Sequence, residues 1–306
     1  KNTKDKFETF KAPSGSVTLI DPNTGKVKAM ASYPTYDPSA FVGGISTQAH
    51  PELTAPDSRL PLNNWATQGQ YAPGSTFKLI SALAGLKSGI ITPTSSFDDT
   101  GSLKVSDVTF YNAGKESNGT INLPTAITVS SDTYFYNIGS KLWSMQYKKD
   151  PKGDAIQDTA REFGFGKKTG ITIGNESIGR IADQEWKAKV HKENPAAFPY
   201  AEWLPGENVF AAIGQGDNLA TPIQLATAYG AFLNDGKLYQ PQLVQEIRKF
   251  DKNGNYKSTF LASVKNGTID LNPTYVESIK QGFFGAVNNE KGTAHQAFLG
   301  WPNTIS

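Results

Sequence analysis

Apolar side chains recur at three- and four-residue spacing in several stretches, a period that is typical of helices packed on a core. Phe77 and Ile80 show this spacing just after a Pro-Gly pair at residues 73–74, which breaks the preceding structure. The pattern predicts an amphipathic helix from residue 75 to about residue 88. Further helices are predicted over residues 123–129, 154–163, 221–236 and 272–287.

The helix predicted over residues 221–236 has the clearest boundary signals in the chain. Thr221 is a preferred N-cap, Pro222 suits the first turn, and Gln224 completes a capping box. Gly236 supplies a C-terminal stop.

Strand-like runs flank turn signals at two places. Residues 16–20 and 27–31 surround an Asp-Pro-Asn-Thr-Gly turn, which predicts an antiparallel hairpin. A second hairpin is predicted from residue 242 to beyond residue 256, with its turn at 251–254. The remaining segments are predicted to be loop-rich with short helical pieces (39–70), turns with a small hairpin (92–120), and an irregular surface excursion (176–208).

Composition excludes several classes of protein. The 306 residues are 38% hydrophobic, enough for a sizeable core, and the net charge of +2 argues against a nucleic-acid partner. Without cysteine the chain has neither disulfides nor thiolate metal sites, and its three histidines lack metal-ligand spacing. We therefore expect no metal and no cofactor. No apolar run in the sequence reaches transmembrane length.

Ser75 and Lys78 form the first candidate for chemistry. They lie three residues apart at the start of the predicted helix, so their side chains share one face. A desolvated lysine can remove the proton of a serine hydroxyl, and a helix N-terminus offers free N–H groups to an oxyanion. The Ser-x-x-Lys pattern alone is weak, because most such serines are caps and most such lysines are solvated.

A second element strengthens this interpretation. Ser130-Ser131-Asp132 follows about fifty residues later, at a predicted helix boundary. The two motifs resemble the S-x-x-K and S-x-N/D motifs of penicillin-binding proteins. Four further segments resemble the transpeptidase domain of class B members and occur in family order from about residue 15 onwards: residues 20–34, Phe163-Gly164-Phe165-Gly166, Ile213-Gly214-Gln215-Gly216 and Thr221-Pro222-Ile223-Gln224. Thr133-Tyr134-Phe135-Tyr136 and Gly292-Thr293-Ala294-His295 are most similar to the elongation-specific members.

The resemblance implies a mixed α/β (α+β) fold of the penicillin-binding and β-lactamase-like type. An antiparallel sheet would have helices on both faces, and a mostly helical lobe would complete an active site between the two parts. Residues 1–306 would form one transpeptidase domain. A membrane anchor and a non-catalytic pedestal would precede Lys1, which would place the domain outside the cytoplasm of a bacterium.

The resemblance also implies substrates and roles. Ser75 would attack peptidoglycan stem peptides that end in D-Ala-D-Ala, and the acyl group would pass to an acceptor amine. Lys78 would be the base and Ser130 would relay a proton to the leaving amine, while Asp132 would face Lys78 or the substrate amides. β-Lactam antibiotics would acylate Ser75. A glycosyltransferase and membrane proteins of the elongation complex are the expected partners.

One family motif, Lys-Thr/Ser-Gly on an inner strand, lacks a convincing match. Lys168-Thr169-Gly170 spells it but follows Ser130 too closely and lies beside the Phe-Gly-Phe-Gly turn. Lys291-Gly292-Thr293 has the wrong order. The motif is therefore expected beyond Ser306, with the domain incomplete at its C-terminus in the sequence as given.

Two other functions remain open at this point. A serine β-lactamase would need a residue that activates water for deacylation, and no segment resembles one. A β-lactam-sensing receptor domain would hold the drug as a signal. Rapid release of a fluorescent penicillin would indicate the β-lactamase, and cross-linking of substrate would separate a transpeptidase from a sensor.

Overall fold

The computed structural model describes residues 12, 14–47, 49–55, 59–149, 151–172 and 174–301 of the chain. Its strands are β1 (Gly15–Ile20), β2 (Val27–Tyr33), β3 (Phe97–Asp99), β4 (Ser102–Val105), β5 (Val108–Tyr111), β6 (Gly119–Ile121), β7 (Lys237–Tyr239), β8 (Glu246–Phe250), β9 (Tyr256–Phe260) and β10 (Lys265–Thr268). Its α-helices are α1 (Ala49–Thr54), α2 (Trp65–Gln68), α3 (Lys78–Ser88), α4 (Leu123–Thr128), α5 (Asp132–Tyr147), α6 (Ala155–Glu162), α7 (Gln184–Glu193), α8 (Pro205–Ala211), α9 (Pro222–Leu233) and α10 (Pro273–Asn288).

Helix α3 is the centre of the core. All of its residues except Lys87 are buried, so it is enclosed on nearly every side, whereas the predicted amphipathic helix would bury one face. Small side chains explain the difference, because they let neighbouring elements approach closely. A Cβ atom on Gly85 would lie only 3.1 Å from Ile91 and 3.2 Å from Ile138 of α5.

The first predicted hairpin is confirmed as the antiparallel pair β1–β2, with Val17 opposite Ala31 and Leu19 opposite Ala29. Helices α2 and α9 pack against this pair. Val17 and Leu19 point the other way and are 68% and 58% exposed. The mixed α/β class is thus confirmed, while the helices of the described residues cover one face of this hairpin.

The remaining strands also pair in twos. The second predicted hairpin is confirmed as β8–β9, with Phe250 opposite Tyr256 across the turn. The segment predicted to hold one small hairpin forms two antiparallel pairs, β3–β6 and β4–β5. β7 pairs with β10.

The helix predictions over residues 123–129, 154–163, 221–236 and 272–287 are confirmed as α4, α6, α9 and α10. The capping box at Thr221 is present as predicted. The prediction of an irregular surface segment over residues 176–208 was wrong, because these residues include α7 and the start of α8. Asp183 caps α7 through the Trp186 N–H, and Pro205 opens α8, so both helices carried start signals.

The described residues include no helix that is both long and apolar enough to span a bilayer.

Two chain segments meet tightly at Gly214. Its φ of +68° lies in the left-handed region, and its carbonyl accepts a hydrogen bond of 2.8 Å from the Gly74 N–H. A Cβ atom there would lie 2.4 Å from the Gly74 carbonyl oxygen and 2.5 Å from the Phe77 Cβ. Only glycine fits this position, because both the backbone angle and the space exclude a side chain.

We expect Gly214→Ala to lower the free energy of unfolding by about 3 kcal/mol, since overpacking and a positive φ each contribute about 1–3 kcal/mol. Urea denaturation measures this loss. Gly254→Ala is the matched control, because Gly254 has a φ of +82° but open space around its Cβ position. An equal loss in the two variants would contradict the close-contact explanation.

Candidate active site

Ser75 lies in an exposed turn immediately before α3. Gly74–Phe77 form a 3-10 turn, so the α-helix begins at Lys78 rather than at Ser75 as predicted. The Tyr229 hydroxyl donates to the Thr76 carbonyl oxygen at 2.8 Å. Together with the contact between Gly74 and Gly214, this bond fixes the turn on its inner side.

Contacts with segments distant in sequence also support the turn that carries Ser75. Phe77 is 0% exposed, and its ring packs edge-on against Phe165 with centroids 5.6 Å apart. Phe165 belongs to the Phe-Gly-Phe-Gly segment noted in the sequence. Tyr71 and Ala220 form an antiparallel bridge with N–H to oxygen distances of 3.0 and 2.8 Å. Segments distant in sequence thus hold Ser75 in place.

Lys78 is enclosed, with only 3% of its side chain exposed. Its Nζ donates to the Ser130 carbonyl oxygen at 2.8 Å, to the Ser130 Oγ at 2.9 Å and to the Asp132 Oδ1 at 2.6 Å. The ammonium also lies 5.4 Å from the centroid of the Phe135 ring. Three oxygens and an aromatic face therefore replace the water that burial removes.

Two opposing influences set the protonation of Lys78. Burial lowers its pKa, because a low-dielectric surrounding disfavours the charged form, while the Asp132 carboxylate raises it by charge and hydrogen bonding. Burial outweighs the carboxylate, so the pKa of Lys78 lies below its ordinary value. A lowered pKa is what a lysine needs to act as a base near neutral pH.

Ser130 and Asp132 reach Lys78 because the chain turns sharply between α4 and α5. Ser130 has a φ of +54°, in the left-handed region that non-glycine residues rarely adopt. Ser131 caps α5, and Asp132 is the first residue of this 16-residue helix. The N-terminal end of the helix dipole stabilises a carboxylate at that position.

The Ser130 hydroxyl connects the other groups. It donates to the Ser75 Oγ at 3.0 Å and accepts from Lys78. Hydrogen bonds in the described part of the chain therefore link the Lys78 ammonium to Ser75 through Ser130 rather than directly. The structure brings together all four predicted residues, with Ser130 in the central position.

The two sequences that imitate the third motif lie elsewhere. Thr169 donates to Glu176 through both its N–H and its hydroxyl at 2.6 Å, so Lys168-Thr169-Gly170 is held within its own turn. The Thr293 N–H instead contacts the Thr128 carbonyl oxygen at 3.3 Å, at the end of α4. Neither match contributes a side chain to the hydrogen bonds around Ser75.

Sequence reasoning gave no role to Gly214 and Tyr229, which shape the turn around Ser75. The Gly-Gln-Gly segment at residues 214–216 was noticed only as part of a resemblance. As for metals, the residues that the structure describes hold no group of three or more His, Cys, Asp or Glu side chains suited to an ion.

The chain is similar to known proteins. The family model described as "Penicillin binding protein transpeptidase domain" matches residues 15–304. "Peptidoglycan D,D-transpeptidase MrdA" of Escherichia coli K12 is 33% identical over 303 residues, covering 98% of this chain and 44% of that protein. The chain therefore spans less than half the length of this curated relative.

Solved structures give the same result. PBP2 of Pseudomonas aeruginosa, in complex with WCK 5153, superposes with a TM-score of 0.77 at 33% identity and covers 94% of this chain and 60% of that one. PBP2 of Helicobacter pylori, in complex with MreC, gives 0.76 at 29% identity, covering 95% and 49%. The family model matches residues 15–304, which confirms the resemblance seen in the motifs. The chain therefore belongs to the penicillin-binding protein transpeptidase family.

Proposed function

We propose that this chain carries the catalytic centre of a peptidoglycan D,D-transpeptidase that uses Ser75 as nucleophile. The observation that carries the proposal is the continuous hydrogen-bonded path from the exposed Ser75 hydroxyl through Ser130 to a buried lysine with a lowered pKa. The relative from Escherichia coli bears the name of this activity. The proposal extends that activity to the protein that contains this chain.

The reaction begins when the Ser75 oxygen attacks the carbonyl carbon of the penultimate D-Ala. The C–N bond to the terminal D-Ala breaks, and that D-Ala leaves as a free amine after it accepts a proton. An amine of a neighbouring stem peptide then attacks the ester on Ser75 and restores the hydroxyl. A β-lactam ring opens by the same attack, but the acyl group stays attached.

Proton movement follows the path through Ser130. With Lys78 protonated, Lys78 donates to Ser130 and Ser130 donates to Ser75. When Lys78 is neutral, both bonds can reverse, so that Ser75 donates to Ser130 and Ser130 donates to the amine. Ser130 can then return the proton to the leaving amine. This cycle needs the neutral lysine, and burial favours that form because it lowers the pKa of Lys78.

Asp132 shifts the equilibrium between protonated and neutral Lys78. Its carboxylate raises the pKa of Lys78 and thereby opposes base action, while its bond of 2.6 Å fixes the position of the amine. We propose that Asp132 sets the pH at which the enzyme works rather than taking part in bond making.

Membership in this family supports a proposal for where the protein works and with which partners. The Helicobacter pylori structure shows PBP2 in complex with MreC. We propose that the present protein works on the outer side of a bacterial membrane, with a glycosyltransferase and membrane proteins of the elongation complex as partners.

Ser75→Ala in the full-length protein is expected to abolish covalent labelling by fluorescent penicillin, because the attacking atom is gone. Circular dichroism should show a retained fold, since loss of an exposed hydroxyl costs about 1 kcal/mol or less. Ser81→Ala is the control and should keep its labelling, because Ser81 lies in α3, just after the turn that carries Ser75, and its hydroxyl donates to the Ala212 carbonyl at 2.6 Å.

Mass spectrometry of the labelled protein locates the drug. Drug attached to a serine other than Ser75 would contradict the assignment. Rapid release of the drug from Ser75 would identify a β-lactamase instead, and durable labelling without cross-linking of substrate would identify a sensor.

Lys78→Ala should slow acylation by about 100- to 10,000-fold, because this is the typical contribution of a positioned base. Stopped-flow fluorescence with a labelled penicillin at neutral pH measures the rate. Lys87→Ala serves as control, since Lys87 lies in the same helix and pairs with Glu162 at the surface. An acylation rate for Lys78→Ala close to that of the control would exclude Lys78 as the base.

Asp132→Asn should retain acylation but shift its pH dependence. The rate rises with pH as Lys78 loses its proton, and removal of the carboxylate removes an influence that raises the pKa of Lys78. The midpoint of the rising limb therefore moves to lower pH. Asp158→Asn, at an exposed position of α6, should leave the midpoint unchanged. A midpoint that stays in place or moves upward in Asp132→Asn would show that the carboxylate does not tune Lys78.

A further inference from the structure

A buried carboxylate outside the four site residues is hydrogen-bonded to the turn that carries Ser130. Asp99, at the end of β3, is 0% exposed. Its Oδ1 accepts from the Gly101 N–H at 2.9 Å and from Asn112 Nδ2 at 2.8 Å. Its Oδ2 accepts from Asn112 at 2.9 Å, from Asn118 Nδ2 at 2.6 Å and from the Ser131 hydroxyl at 2.7 Å. The carboxylate thus has a full set of donors.

Those donors keep Asp99 charged. Burial on its own raises the pKa of a carboxyl group, but the hydrogen bonds from Asn118, Ser131, Asn112 and Gly101 outweigh it and hold the pKa below its usual range. Within the described ranges, the donors to Asp99 are neutral amides and a hydroxyl, and its carboxylate takes part in none of the ion pairs. Hydrogen bonds to an ionised acceptor are shorter and stronger than neutral ones.

Two of these donors connect Asp99 to the start of α5. Ser131 lies between Ser130 and Asp132, and while its hydroxyl donates to Asp99 its oxygen accepts from the Tyr134 N–H at 3.2 Å. Asn112 donates to Asp99 with its amide nitrogen and accepts from the Thr133 N–H at 2.9 Å with its amide oxygen. Two otherwise unpaired N–H groups of the first helical turn are thereby tied to one carboxylate.

The turn needs such support because Ser130 adopts a strained backbone conformation. A φ of +54° lies in a region that non-glycine residues rarely occupy, and such a conformation persists only where its surroundings determine it. Backbone bonds from Ser130 to Ile127 at 3.1 Å and from Ser131 to Ala126 at 2.9 Å hold the α4 side. Asp99 holds the α5 side.

We propose that Asp99 is a positioning residue for the reaction: through Ser131 and Asn112 it keeps the Ser130 hydroxyl between Ser75 and Lys78, and the Asp132 carboxylate on Lys78. This inference rests on the proposed function, because it assigns Asp99 to the acylation of Ser75. Asp99 itself touches none of the reacting atoms.

The test separates positioning from a purely structural role. Acylation of the full-length protein by a fluorescent penicillin is resolved by stopped flow into the dissociation constant of the first complex and the first-order rate constant of acylation. All measurements are made where circular dichroism shows each variant to be folded. Asp99→Asn should lower the rate constant by about 10- to 100-fold, because a misplacement of about 1 Å costs about that much. The dissociation constant should change by less than about threefold.

A second variant keeps the test valid if Asp99→Asn does not fold. Ser131→Ala removes one of the two links while leaving Asp99 its other donors, and it should lower the same rate constant. Because Asp99→Asn already disturbs the link through Ser131, the double variant should be no slower than the slower single variant.

Glu176→Gln is the matched control. Glu176 is a carboxylate that accepts three hydrogen bonds in the turn at Thr169 and Gly170, away from Ser75. The Glu176→Gln substitution should lower the melting temperature without changing the acylation rate constant. An unchanged rate constant in folded Asp99→Asn or Ser131→Ala, an equal loss in Glu176→Gln, or full additivity in the double variant would overturn the inference alone. A wild-type protein that penicillin does not acylate at Ser75 would overturn the proposed function and this inference with it.

Discussion

The structure depends on the burial of one ammonium group. Moving a charged amine out of water costs several kcal/mol even after the protein relaxes, so the site must surround it with compensating oxygens. Lys78 obtains them from Ser130 and Asp132, which lie more than fifty residues along the chain. The balance leaves the pKa of Lys78 below its ordinary value, while the hydrogen bonds hold the amine in place. Removing either burial or the partners would disturb that balance.

The rest of the fold maintains this contact. Helices α3 and α5 share one core, in which Phe77, Leu83, Phe135 and Ile138 are all 0% exposed. This packing fixes the first turn of α5 beside the first turn of α3, where Asp132 and Lys78 stand. The loop at Gly214 and the hydroxyl of Tyr229 hold Ser75 from the other side. Ser75 and the side chains that are hydrogen-bonded to it therefore belong to different segments that only the tertiary structure joins.

Much of this organisation could be predicted from the sequence. Local signals such as the capping box at Thr221 and the turn at residues 21–25 gave two hairpins and the helices α4, α6, α9 and α10 to within a few residues, because capping and turn chemistry act over short distances. Spacing and chemistry singled out Ser75 and Lys78, and a resemblance to the motifs of a family added Ser130 and Asp132. Helix α7 was missed because its only fully buried residue is Lys187, so apolar spacing gave no signal there.

Long-range relations were beyond the reach of the sequence. Spacing placed Ser75 and Lys78 on one helical face, but a 3-10 turn separates Ser75 from the α-helix, and the amine reaches it through Ser130. Nothing in the run from Asp99 to Asn118 indicated that its asparagine side chains converge on Asp99, or that Asp99 in turn meets Ser131. These contacts depend on the pairing of β3 with β6 and on the packing of β3, β4 and β5 against α5, which no local pattern encodes.

Because the donors to Asp99 are uncharged, ionic strength should affect its hydrogen bonds less than it affects exposed ion pairs. Interactions between exposed opposite charges, such as Lys87 with Glu162, are screened by dissolved salt, and their contribution falls as ionic strength rises. The Asp99 carboxylate is enclosed and satisfied by neutral amides and a hydroxyl, so mobile ions can neither reach it nor compete with its donors. The turn between α4 and α5 should therefore keep its shape from dilute to saline solution, because the hydrogen bonds to Asp99 that support it do not depend on ionic strength.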